Sequence, residues 1–299
     1  MATALVTGGA GFIGSHLVDK LIDLEYTVVS VDNESAESND KFYWRSDVSN
    51  YTSDVTDWEI IDHICTRHEP DIIFHLASDA RVQTSIINPQ RSCMTNYIGT
   101  CNMLEIAKKY KSRFVFSSTS SSYGRVNVPP LREDMKPDCL TPYSVSKIAS
   151  ECLSKVYNDL YGVETIVLRY FNVYGPRQPI KGVYAPVIGL FQKQQQEGNP
   201  MTIIGDGSQR RDFTYIADAI RATIKAGQCT NDNAFGEVFN IGTGTNYSIL
   251  ELTEMIGGRV EHLEPRPGES DTTLADISKA REILDWEPTT TLKEGISII

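Results

Sequence analysis

Over the first 170 positions, short β-branched apolar runs alternate with stretches whose apolar residues recur at helical spacing. Residues 2–7, ATALVT, predict a buried strand. In FIGSHLVDKLIDL the apolar positions Phe12, Ile13, Leu17, Leu21 and Leu24 keep the helical period and predict the helix that follows. Further strands are predicted over 27–32, 71–77, 113–118 and 164–173, with helices near 57–68, 92–110 and 143–161. Such alternation buries a parallel sheet between two helical layers, so the expected fold class is α/β, a doubly wound parallel sheet. After residue 170 the pattern loosens into Gly- and Pro-rich loops around 175–186, 198–208 and 265–268. A second, smaller lobe is predicted there, over 169–299, beside a sheet domain over 1–168. DFTYIADAIRATIKAG regains helical periodicity, so the chain is expected to return to the first domain over about 213–241.

Composition narrows the function classes. Of 299 residues, 40% are hydrophobic and 22% charged, enough to bury a substantial core. A net charge of −11 disfavours nucleic acid or an anionic membrane surface as a partner. Cys65, Cys93, Cys101, Cys139, Cys152 and Cys229 form no close pair. Reduced structural thiols are therefore expected, without a metal site. The first residues carry no basic segment followed by an apolar core, and no apolar run approaches the ~20 residues of a membrane span. The expectation is a cytoplasmic protein.

Two motifs carry chemistry. TGGAGFIG joins the first strand to the first helix, with Gly9, Gly11 and Gly14 in the dinucleotide spacing and Gly8, Gly11 and Gly14 three apart. Glycine lets backbone amides approach a pyrophosphate at a helix amino terminus. The second strand ends at Asp32, where a carboxylate can accept both ribose hydroxyls. The following NES offers no cation for a 2′-phosphate, so NAD is expected rather than NADP. In TPYSVSK, Tyr143 and Lys147 stand at i and i+4 and share a helix face. An ammonium beside a phenol favours phenolate, which could take a proton from a sugar hydroxyl. His75, inside an apolar strand end, reads as structural.

In order along nearly the whole chain come TGGAGFIGSHLVDKL, DIIFHLAS, NYIGTCNMLE, FVFSSTSSSYG, TPYSVSK, LRYFNVYGPRQ, GDGSQRRDFTYIADA and RPGE followed by AD. This set resembles the extended short-chain dehydrogenase/reductases, specifically the NAD-dependent nucleotide-sugar epimerase/dehydratase group. The resemblance implies a Rossmann domain and a smaller substrate-binding domain. It places Phe12, Ile13 and Asn33 with the glycines and Asp32 among the cofactor contacts. Asp54 and Val55 should flank adenine, Leu76 and Ala77 line the cofactor path, and Asn96 lie beneath it. Tyr170 should reach the nicotinamide ribose or carboxamide. Asn172, Arg211 and Arg266 are expected on the substrate's diphosphate and nucleotide ribose, with Glu269 on the ribose. Thr119 should hydrogen-bond the reacting hydroxyl. Thr273 falls where the sugar's C2 substituent is lined.

The family's 4,6-dehydratases carry Asp and Glu after that hydroxyl position. Here Ser120 and Ser121 stand there, and a serine cannot act as general base for C5 deprotonation. The resemblance therefore implies NAD-dependent C4 epimerisation of a UDP-hexose, UDP-glucose or UDP-galactose and possibly the N-acetylated sugars, through a 4-keto sugar. A UDP-glucuronate decarboxylase, a 4,6-dehydratase and a noncatalytic NAD-binding regulator remain alternatives. A homodimer is expected, through helices around 92–110 and 143–161 that carry apolar residues such as Met103, Ile106, Ile148, Leu153 and Val156 on more than one face.

Overall fold

The structure, a computed structural model, describes residues 1–36, 39–181, 185–264 and 271–299. Seven strands form one parallel sheet: β1 (Thr3–Thr7), β2 (Thr27–Asp32), β3 (Ser49–Thr52), β4 (Ile72–His75), β5 (Arg113–Thr119), β6 (Thr165–Tyr170) and, much later in the chain, Glu237–Ile241. Their order is β3, β2, β1, β4, β5, β6 and then that last strand. β6, TIVLRY, is buried at every position, which is why it reads as a continuous apolar run rather than an alternation.

Helices cover both faces. α1 (Phe12–Asp23) lies with one core cluster, and α2 (Trp58–His68) contributes Ile61, Ile64 and Cys65 to the other. The helix expected near 92–110 is three pieces: α3 (Val82–Ile87) leads into α4 (Pro89–Cys93), a π turn at Met94–Ile98 and α5 (Gly99–Tyr110). The extra residue of a π turn rotates the face that follows. Here it leaves Asn96 buried while Tyr97 and Ile98 face outward. α6 (Pro142–Tyr161) completes this face.

Beyond β6 the chain builds the smaller lobe. It comprises β7 (Val173–Tyr174), α7 (Val187–Gln196), β8 (Met201–Ile204), β9 (Arg210–Asp212) and β10 (Thr214–Tyr215). α8 (Ile216–Gly227) then packs on α1, and β11 (Glu237–Ile241) closes the large sheet beside β6. β12 (Asn246–Ser248) pairs antiparallel with β9, and β13 (Val260–Leu263) pairs parallel with β8. α9 (Ile249–Ile256), α10 (Ser278–Leu284) and α11 (Leu292–Ile298) finish the chain. The expected domain boundary at 168 falls inside β6, which holds its sheet register to Tyr170.

Parallel pairing carries the strand ends to one edge. Thr7 is opposite both Val31 and His75, Thr119 is opposite Tyr170, and Tyr170 is opposite Ile241. The neighbours of β1 and β4 lie on opposite sides, so the strand order reverses at the β1–β4 junction and opens a crevice at that edge. Every motif singled out in the first half of the sequence lies at or next to this edge.

Candidate active site

The glycine turn is sterically determined. Gly8 has φ +69°, and a Cβ there would stand 2.9 Å from the Ala77 amide nitrogen. A Cβ at Gly14 would stand 2.0 Å from the Gly8 carbonyl oxygen. Gly11 caps α1 without a side-chain hydrogen bond, so the first-turn amides of Phe12, Ile13 and Gly14 have no side-chain acceptor at the cap. Asp32 is buried at the end of β2 and accepts the Ala10 and Glu34 amides at 3.2 and 2.8 Å. Burial pushes its carboxyl up, against those amide bonds.

Asn33 donates to Asp54 at 2.7 Å, and Asp54 also accepts the Thr56 amide and hydroxyl. Burial raises the Asp54 carboxyl, but the bonds from Thr56 and Asn33 outweigh it and hold it low. Val55 is buried against Gly99. The amides of Leu76 and Ala77 bind the Thr7 carbonyl and hydroxyl, which aligns the β4 exit with β1. Asn96 takes Ser78 Oγ and the Asp79 amide on its oxygen and donates to Ser146 of α6. A turn with free first-turn amides thus lies beside the buried Asp32 carboxylate, and these residues fit a dinucleotide.

Local sequence sets the catalytic helix. Thr141 caps α6 through Ser144, and Pro142 occupies the first position, where no amide is needed. The next amide, that of Tyr143, donates to Ser85 Oγ of α3 at 3.2 Å. Tyr143 and Lys147 are both buried on one face. Thr119 acts on the Tyr143 phenol and lowers it, and its hydroxyl oxygen is hydrogen-bonded to the Ser121 hydroxyl and amide, each at 3.1 Å.

The electrostatics differ from the expectation that Lys147 draws the phenol down. Burial pushes the Tyr143 phenol up, while Thr119 and Arg81 pull it down and Asp79 adds to the rise. Lys147 lies 4.5 Å from the centroid of the Phe116 ring, and burial lowers it to about 7 against the field of Glu151. The shared face does bring the two groups into one site, but a dry site penalises phenolate and ammonium alike. The cation acting on the phenol is Arg81, a residue to which the sequence gave no role. Its only sequence signal is its place in the loop after a strand end. His75 is structural: fully buried between the Thr7 and Thr100 hydroxyls, it is pushed down to about 3 by burial and by Lys147.

Tyr170 ends β6, and its hydroxyl pairs with Thr223 of α8 at 2.6 Å, so any nicotinamide contact falls to its ring or main chain. A cleft of about 550 Å³ opens between the lobes, lined among others by Arg81, Ser120, Ser121, Asn172, Arg211 and Thr273. Asn172 donates to the Asp212 carbonyl at 2.7 Å and to Thr273 Oγ1 at 3.4 Å. Arg211 reaches two main-chain carbonyls, of Arg210 and Asp271. Among the described residues no carboxylate lines this cleft. Arg266 and Glu269 lie outside the described residues.

Comparison with known proteins identifies the family. The family model described as GDP-mannose 4,6 dehydratase matches residues 5–299. A UDP-glucose 4-epimerase of Mycolicibacterium smegmatis is 35% identical over 98% of this chain and 96% of its own. The structure of a Thermotoga maritima UDP-glucose 4-epimerase with UDP-glucose superposes with a TM-score of 0.93 at 38% identity, covering 99% of this chain and 96% of that one. A UDP-glucuronic acid 4-epimerase of Bacillus cereus, in complex with UDP-glucuronic acid and NAD, gives a TM-score of 0.86 at 35% identity, covering 99% and 97%. With the glycine turn, Asp32 and the Thr119–Tyr143–Lys147 site in one crevice, the chain belongs to the extended short-chain dehydrogenase/reductases, in the family of NAD-dependent nucleotide-sugar epimerases and dehydratases.

Proposed function

We propose that this protein is an NAD-dependent UDP-sugar 4-epimerase acting on UDP-glucose and UDP-galactose. The observation that carries the reading is a cleft lined by hydroxyls, not carboxylates, at 120 and 121, beside the buried Thr119 and Tyr143. Tyr143 takes the proton from O4 of the sugar, and Thr119 shortens the path. Arg81 supplies charge that favours the phenolate, and Lys147, on the same face of α6, adds an ammonium to the site. The glycine turn and Asp32 would hold NAD, which would supply reversible hydride acceptance at C4 of the sugar. Ser120 and Ser121 can hold sugar hydroxyls but cannot remove a C5 proton, so elimination does not compete. Arg211 is placed to pair with the diphosphate.

Thr273 sets substrate breadth in this reading. It lines the cleft with a small side chain whose oxygen already accepts the Asp212 amide at 3.3 Å, leaving its proton to donate. An N-acetyl group at C2 has room there. A second reading, a UDP-uronate epimerase, is favoured by Arg81, which brings a guanidinium into the cleft near Tyr143. Incubation with UDP-glucose, UDP-N-acetylglucosamine and UDP-glucuronate, without added NAD, tests these readings together. UDP-glucose and the N-acetyl sugar are expected to epimerise, and Thr273→Tyr is expected to lose the N-acetyl sugar selectively. Turnover of none of the three would reject the assignment, and turnover of the uronate alone would replace it with the second reading.

The protein is also proposed to form a homodimer. Met103 and Ile106 are core residues, whereas Ile148 and Leu153 are half-buried and Val156 is exposed. The exposed apolar residues on the π turn and α6 are Met94, Tyr97, Ile98, Val145, Val156 and Leu160. Burying such a stripe against a second copy is the favourable alternative to leaving it in water. Light scattering is expected to give twice the mass of the chain at micromolar concentration; a monomer mass would reject the dimer.

A further inference from the structure

Beside Tyr143, three charged side chains, Lys147, Glu151 and Arg169, are packed out of water between α6, β5 and β6. Tyr143, Lys147 and Glu151 stand at i, i+4 and i+8 of α6, so one face carries all three. Arg169 of β6 clamps Glu151 in a fork, Nε to Oε1 at 2.9 Å and Nη2 to Oε2 at 2.6 Å. Ser118, the residue before Thr119, donates its hydroxyl to Oε1 of the same carboxylate. The Arg169 guanidinium lies 4.8 Å from the Tyr123 ring centroid, and Tyr123 donates to Asn240 of β11 at 2.7 Å. Lys147, Glu151 and Arg169 are each at most 6% exposed, so no water screens them.

We propose that Glu151 is a positioning residue for the reaction: through Arg169, Ser118 and its place one turn beyond Lys147, it keeps the lysine charged and pins the strand of Thr119 to the helix of Tyr143. This rests on the epimerase reading of the site. A buried ion pair alone would say little, since such pairs seldom add net stability. The placement says more, because one carboxylate is shared by a guanidinium, the strand bearing the relay hydroxyl and the field on the catalytic ammonium. Two cations and one anion make this cluster net positive, so Lys147 depends on Glu151 to remain protonated.

The surrounding groups do not blur the effect. His75 of β4 is held neutral, pushed down to about 3 by burial. Tyr123 is pushed up to about 12 by burial, and burial also raises Cys139 and Glu133. Arg81 and Asp79 act on Tyr143 from the other side. Near neutral pH the group of this cluster left to titrate is Lys147.

Two variants give opposite signs. Glu151→Gln removes the anion, so Lys147 loses its proton more easily and the alkaline limb of kcat/KM moves down by about one pH unit, with kcat about tenfold lower at pH 8 and KM little changed. Arg169→Gln uncovers the carboxylate, so the alkaline limb moves up. Titration of the Lys147 ammonium, read by NMR at its ε-carbon and assigned against a Lys147→Arg counterpart, needs no turnover. It is expected to fall in Glu151→Gln and rise in Arg169→Gln. If no UDP-sugar is turned over but the lysine titrations part in this way, the epimerase reading fails and the role of Glu151 stands. Superimposable profiles and titrations, with only the unfolding temperature lowered, would overturn the proposal. Should Glu151→Gln not fold, an alkaline limb in Arg169→Gln that stays in place or moves down would overturn it alone.

Discussion

Tyr143→Phe is expected to lower epimerase turnover by roughly 10³-fold while the protein still carries NAD and binds the nucleotide-sugar. The ring remains packed, the helix cap at Thr141 and Ser144 is untouched, and the Tyr143 amide still donates to Ser85. What disappears is the one oxygen that Thr119 reaches from β5 and that Arg81 biases toward phenolate. Thr119 cannot take over, because an alkyl hydroxyl at neutral pH is no base and this one is already bonded to Ser121. The assay is single-enzyme turnover with UDP-galactose, alongside NAD released on denaturation and nucleotide-sugar affinity by calorimetry. A variant with near-normal turnover would end the acid–base assignment. A variant that lost NAD as well would show that the phenol oxygen holds the cofactor rather than moves a proton.

The second large effect is expected from one methyl group at the opposite end of the crevice. Gly14→Ala should leave the protein with little bound NAD and a lower unfolding temperature, the usual cost of overpacking being about 1–3 kcal/mol. The new Cβ would lie 2.0 Å from the Gly8 carbonyl oxygen and 2.8 Å from its carbon, both main-chain atoms. Gly8 cannot retreat easily: its left-handed backbone is pressed against Ala77 and Leu76 at the β4 exit, and its amide is held by the Val31 carbonyl at 2.7 Å. Relief has to come from moving the whole turn, which carries the amides of the first turn of α1. NAD stoichiometry and thermal unfolding check this directly. Full NAD content with an unchanged unfolding temperature would show that the turn is softer than its contacts imply.

Much of the fold was legible because buried parallel strands need apolar residues on both faces. β1, β2, β5 and β6 carry such runs, and each was expected within a few residues of where it lies. β3, SNYT, was missed for the opposite reason: it is an edge strand of polar residues, recruited by pairing with β2 rather than by burial. β11, EVFNI, was placed only as part of a return to the sheet, since nothing local distinguishes it from a strand of the small lobe. The break at 94–98 was invisible because a π turn changes the helical phase by a single residue. In the candidate site, spacing alone joined Tyr143 to Lys147, and chain order joined the glycine turn to Asp32. Arg81, Ser85 and Arg169 could not be found that way, because each meets its partner from an element distant in sequence.

By itself the sequence determined a doubly wound sheet and a dinucleotide turn, which follow from local rules: which residues fit a buried strand and which backbone tolerates no side chain. The meaning of the hydroxyl run at 119–121, without a dehydratase's carboxylates, came from the family resemblance. The charge state of the site was decided only by the tertiary structure. Spacing on a helix says that an ammonium and a phenol are neighbours, but the chain's packing decides how dry they are and which other charges share the space. Burial raised Tyr143 and lowered Lys147, and strands separated by dozens of residues brought Arg81 to one and Glu151 with Arg169 to the other. Electrostatic energy depends on distance and dielectric, and both exist only once the chain has folded.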